Sequence, residues 1–156
     1  MSITIQVNKK FVKTPLNLNR LRKLIRQVCK HFQAARAVIE IEIVGDAEIR
    51  KMNRKYLKSG RITDCISFDL TESGGRQSRA AKYYQIVVNA EKADREAKRR
   101  GHRQEAELAL YVLHGLLHNL GFDDRKQTDA EAMHKTEDAF LQQFGYGVVY
   151  NYKRKK

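Results

Sequence analysis

At 156 residues with 42% hydrophobic side chains, the chain should fold as one domain with a real core, covering 1–156. No apolar run approaches the length of a membrane span, and the opening MSITIQVNKK lacks the h-region of a signal peptide, so no membrane partner is expected. Thirty-one Lys and Arg against 18 Asp and Glu give a net charge of +13, an excess that attracts polyanions and points to RNA or DNA.

The predicted elements follow from periodicity. Ile3, Ile5 and Val7 alternate with polar residues and open the chain with a half-buried strand, broken at Thr14-Pro15. Leu18, Leu21, Leu24, Ile25, Val28 and Cys29 recur at helical spacing, with Arg22, Lys23, Arg26 and Lys30 on the other face. A second strand spans Val38 to Val44. Gly45-Asp46 turns the chain and is expected to cap a helix to about Tyr56, with Ile49, Met52 and Tyr56 inward. After a loop through Gly60, Asp64 to Leu70 reads as a third strand, with Ile66, Phe68 and Leu70 on one face and Cys65, Ser67 and Asp69 on the other.

Thr71 to Lys82 has no periodicity and reads as a mobile basic loop. Tyr83 to Val88 is the fourth strand, which runs into a polar helix from Ala90 to Arg100. Gly101 breaks that helix. Gln104 to Leu120 is then apolar nearly all round, the mark of a buried helix. Thr128 and Glu131 have capping-box spacing for a last helix to about Phe144, whose inward stripe includes Met133, Glu137 and Phe140. The basic tail, 150–156, is expected to be disordered. The sum is an α+β fold: a mixed four-stranded sheet with about five helices, and the site on the buried helix.

That helix ends in HGLLHNLGFDD. His114 and His118 are four residues apart, which stacks both imidazoles on one helix face. Gly121 is suited to end the helix and reverse the chain, so Asp124 or Asp123 can present a carboxylate to the same ion. Two histidines, one carboxylate and an open position for water are the layout of a catalytic zinc, so one divalent ion per chain is expected, as Zn2+. In the H-E-x-x-H peptidase helix the residue after the first histidine is the general base. Here it is Gly115, which removes the proton acceptor and is read as leaving open space beside the metal for an anionic group. Glu137, directed inward, needs a partner: the second nitrogen of a ligand histidine or a nearby cation. His31, His102 and His134 read as surface residues, with His134 the one substitute ligand. Cys29 and Cys65 form no CxxC pair and read as buried free thiols of a reducing, cytoplasmic compartment.

HGLLHNLGFDD resembles the H-G-x-L-H-x-x-G-[YF]-D-H signature of the YbeY family of single-strand-specific metallo-endoribonucleases, and TDCISF (Thr63 to Phe68) resembles that family's T-[DN]-V-L-S-F. The resemblance implies His114, His118 and Asp124 as metal ligands, Asp124 standing where the family has a third histidine and Asp123 aligning with a non-ligand. It also implies single-stranded RNA as substrate, maturation of a small-subunit rRNA precursor, and the ribosome as partner and object of quality control. Two further departures stand out. The family arginine after the tyrosine is Leu57 here, so a phosphate-binding or catalytic role would pass to Lys58 or Arg61. The family Gly-Asp is Tyr84-Gln85. Ser67 or Asp64 is expected near the scissile group. Three readings stay open: an endoribonuclease, a metal-stabilised RNA- or ribosome-binding module with reduced catalysis, and a zinc hydrolase of peptidase type, against which Gly115 argues.

Overall fold

A computed structural model describes residues 2–11, 13, 15–72, 81–147 and 149. In chain order these form β1 (Ser2–Lys9), α1 (Leu18–His31), β2 (Arg36–Val44), α2 (Asp46–Leu57), β3 (Cys65–Asp69), β4 (Lys82–Asn89), α3 (Ala90–Arg100), α4 (Gln104–Asn119) and α5 (Gln127–Gln143). Of the loop read over 71–82, residues 73–80 lie outside the described residues and Lys82 opens β4; the tail read as disordered, 150–156, lies outside them too.

The strands make one four-stranded sheet in the order β1-β2-β4-β3. β1, β2 and β4 run parallel, and β3 runs antiparallel to β4 at an edge. The registers Ile39↔Tyr84, Ile41↔Ile86 and Ile43↔Val88 line up one apolar row on each strand. That row faces α1, α4 and α5 and forms the main core with Leu21, Leu24, Leu113 and Leu116. On the opposite face Val44, Ile49, Ile66 and Val87 make a small second cluster under α2. The sheet is therefore the α+β sheet expected, buried fully on one face only.

Helix ends explain the placement. Asn17 caps α1, its side chain accepting from the Arg20 N–H at 3.1 Å. Asn89 caps α3 the same way, accepting from the Glu91 and Lys92 amides. Gly101 ends α3 at φ 75, a left-handed conformation that glycine adopts without penalty. α4 follows at once and is buried on nearly every side from Ala106 to Leu113.

Several local expectations are corrected. Asp46 does not cap α2; Gly45 occupies the cap position without a side chain, and Glu91 Oε1 accepts from the Asp46 N–H at 2.9 Å. Tyr56 is 54% exposed, because the second cluster is too small to cover the last turn of α2; Asn53 is buried instead, donating to the Arg61 carbonyl at 2.9 Å. Leu70 lies beyond β3 and is exposed. Thr128 and Glu131 form no capping box, since α5 begins at Gln127 behind Lys126 and has no side-chain cap. His102 is not a surface residue: its Nε2 lies 2.6 Å from Oε2 of the buried Glu107.

Candidate metal centre

The last two turns of α4 carry His114 and His118, both half-buried on a helix enclosed from Ala106 to Leu113. Their Nε2 atoms face one another at 3.1 Å. The chain then reverses through Gly121, at φ 106, with the Phe122 N–H closing onto the Leu117 carbonyl at 2.9 Å. This turn places two groups. The Phe122 carbonyl receives His118 Nδ1 at 3.0 Å. Asp124 Oδ2 comes within 3.5 Å of His114 Nε2 and 3.4 Å of His118 Nε2. His114, His118 and Asp124 each offer one donor atom, all within 4.8 Å of one another. Asp123 is turned outward, its carboxylate held by the Arg125 amide and guanidinium.

Proton accounting shows what this donor set requires. A carbonyl only accepts, so His118 Nδ1 carries a hydrogen and the neutral ring leaves Nε2 bare. His114 Nδ1 lies 2.7 Å from Oε2 of Glu137, whose side chain is fully buried. Burial alone would raise the Glu137 pKa, but hydrogen bonds from His114 and His134 reverse this and hold it below the usual carboxylate range. The ionised carboxylate accepts from His114 Nδ1–H, so His114 Nε2 is bare as well. With both rings neutral, two bare nitrogens and a carboxylate oxygen converge, a donor set that a cation satisfies. Ligands about 2.0–2.1 Å from a tetrahedral zinc stand about 3.3–3.4 Å apart, close to the spacings found here. The residues therefore fit a divalent metal. His114 responds to the same field: burial disfavours its charged form, yet Glu137, Asp64 and Asp124 outweigh that and raise its pKa.

Gly115 does not leave open space beside the metal. A Cβ there would stand 2.7 Å from Cys65 Sγ and 2.7 Å from Ile86 Cγ2. Its role is to let α4 lie directly on β3 and β4, which fixes the height of His114 above the sheet. Cys65 is a free thiol packed against this contact, its pKa raised well above normal, mainly by burial. Ser67, half-buried in β3 opposite Ile86, and Arg61, exposed in the α2–β3 loop, lie outside the hydrogen-bonded cluster. Tyr84 and Gln85 are inside β4, and Tyr84 packs in the main core.

Asp64, expected near the scissile group, lines a wall beside His114 that sequence reading otherwise missed. A cavity of about 160 Å³ is lined by Asp64, Lys92, Arg100, Glu107, Tyr111 and His114, among others. Lys92 and Arg100 reach it because Ala90, Ala93 and Ala97 bury one face of α3, leaving 92, 96 and 100 as the adjoining stripe. That spacing was the available signal. His134, read as a surface residue and the one substitute ligand, is instead only 18% exposed, its Nδ1 bonding Glu137 Oε1 at 2.7 Å.

An α+β protein with two histidines and one carboxylate gathered at the end of a buried helix carries the donor set that a metal-dependent hydrolase uses. Comparison with known proteins narrows the class. The family profile described as Endoribonuclease YbeY matches residues 4–145. A protein named Endoribonuclease YbeY from Desulfitobacterium hafniense is 33% identical over 118 residues, covering 72% of this chain and 75% of its own. Its namesake from Geobacter metallireducens is 32% identical, covering 76% and 79%. A solution structure from Thermotoga maritima shares the fold with a TM-score of 0.59 at 22% identity, covering 91% of each chain. The chain belongs to the YbeY endoribonuclease family.

Proposed function

We propose that this protein is a zinc-dependent endoribonuclease that cuts single-stranded RNA, acting on a small-subunit rRNA precursor in the cytoplasm and on the ribosome in quality control. The observation that carries the reading is the convergence of the two Nε2 atoms and the Asp124 carboxylate on one point. A bound divalent ion supplies Lewis acidity toward a phosphoryl oxygen and lowers the pKa of a water.

The chain's own residues do the rest. Glu137 and the Phe122 carbonyl fix the two imidazoles in the tautomer that offers Nε2. Lys92, beside His114, stands where it can hold a phosphate oxygen, while Arg100 is shared with Glu96 at 4.0 Å and Glu107 at 3.9 Å; the role is open because Leu57 replaces the family arginine and lies 56% exposed. Arg50, Lys51, Arg54, Lys55 and Lys58 cover the exposed side of α2, and with Arg61 form a positive face for the RNA backbone. Ser67, on the strand that α4 crosses, and Arg61 are retained as residues at the scissile group. Leu57 also favours a second reading, a metal-stabilised RNA-binding module with little turnover.

Incubating the purified protein with single-stranded and duplex RNA, with and without chelator, separates the two. Chelator-sensitive internal cleavage of the single strand supports the nuclease. Binding without cleavage supports the module. Cleavage unaffected by chelation contradicts both metal readings.

A further inference from the structure

His134 stands three residues before Glu137 on α5, on the same helix face. Its side chain is only 18% exposed, and its ring lies nearly parallel to that of His114, 13° between planes and 6.3 Å between centres. The two rings flank one carboxylate. Glu137 accepts from His114 on Oε2 and meets His134 on Oε1, each at 2.7 Å. Asp124 thus completes the donor triangle from one side while His134 and Glu137 support it from the other.

The consequence follows from carboxylate chemistry. With a single N–H partner, the Glu137 carboxyl can turn about its last torsion. Once turned, it no longer specifies which His114 nitrogen carries hydrogen. A second N–H on Oε1 removes that freedom and keeps both oxygens as acceptors, so His114 Nδ1 must donate and Nε2 stays open. Resting on the metal reading above, we propose that His134 is a positioning residue of the metal centre, holding Glu137 so that His114 presents a bare Nε2. It is not a fourth ligand: Nδ1 bonds Glu137, and the donor atoms gathered within 4.8 Å of one another are those of His114, His118 and Asp124.

The test is zinc affinity of the full chain, measured by competition with a chromophoric chelator. His134→Asn places an amide N–H where Nδ1 stands, whereas His134→Phe keeps the ring volume without a donor. Loss of such an outer partner costs about 10–100-fold in metal affinity, which is the loss expected for His134→Phe, while His134→Asn should stay within about threefold of the parent. Unchanged affinity in His134→Phe overturns the proposal. So does an equal loss in both variants, which would make the imidazole itself a ligand. His118→Ala serves as the control for the metal reading, since zinc retained there removes that reading whatever His134 does. Should His134→Phe fail to fold, the imidazole nitrogen resonances of the metal-free parent decide: His114 protonated on Nδ1 agrees, and on Nε2 overturns.

Discussion

Gly115→Ala tests how α4 sits on the sheet. In an open helix position this change stabilises by about 1 kcal/mol, because alanine is the better helix former. If the glycine left room beside the metal, that gain should appear. Here the added methyl meets Cys65 Sγ and Ile86 Cγ2, both at 2.7 Å, shorter than real Cβ contacts allow. Ile86 is fully buried between β2 and α4, so the helix or strand must move. Overpacking of this kind costs about 1–3 kcal/mol; offset by the propensity gain, a net loss near 1 kcal/mol is expected. Because His114 is the neighbouring residue, zinc affinity should fall too. Urea unfolding of the parent, Gly115→Ala, Cys65→Ala and the double variant provides the assay, the cycle showing that Cys65→Ala relieves part of the clash. A stabilised Gly115→Ala, with no coupling to Cys65, refutes the packing argument.

Other predictions concern charge. Asp124→Ala should weaken zinc binding while Asp123→Ala leaves it near the parent, since Asp123 is held by Arg125; the opposite order in a chelator competition would reassign the ligand. Asp124→His should keep the metal and move the acidic limb of the pH–rate profile for RNA cleavage lower, because a water bound there would be more acidic without the carboxylate charge. RNA affinity should fall steeply between low and moderate salt through counterion release, and Lys51→Glu with Lys55→Glu should flatten that slope; no salt dependence would remove RNA from the partners. The Arg95 guanidinium, 2.6 Å from Asp46, is the main cause holding that carboxyl below its ordinary pKa, with Asn89 assisting. A depressed folded pKa gives stability that is present above the unfolded value and lost as pH falls through the folded one. Asp46→Asn should therefore lessen the acid loss of stability below about pH 4, as read by thermal unfolding across pH.

Much of this architecture is legible in the sequence because its signals are local. Alternation in Ile3-Ile5-Val7 and Ile39-Ile41-Ile43 marks strands, and the all-round apolar run after Gln104 marks the enclosed helix that carries the histidines. The donor triangle is legible for the same reason: His114, His118, Gly121 and Asp124 fall within eleven residues, so helix geometry and one turn bring them together. What escaped depends on distant contacts. Nothing near Gly115 in sequence announces Cys65 and Ile86 above it. His134 looks like a residue of a polar helix face until Glu137 is seen between it and His114. Lys92 and Arg100 lie on a helix that reads only as polar, and their meeting with His114 depends on how α3 packs on α4. Tyr56 was misplaced because spacing gives a face but not how much partner surface covers it.

One metal ion at His114, His118 and Asp124 is proposed to make this chain a ribonuclease. Titrating zinc into metal-free protein while following cleavage of a single-stranded RNA tests it directly. No cleavage is expected without zinc, and a linear rise that breaks at one equivalent per chain. Full activity in the metal-free protein, or none at saturation, would contradict it.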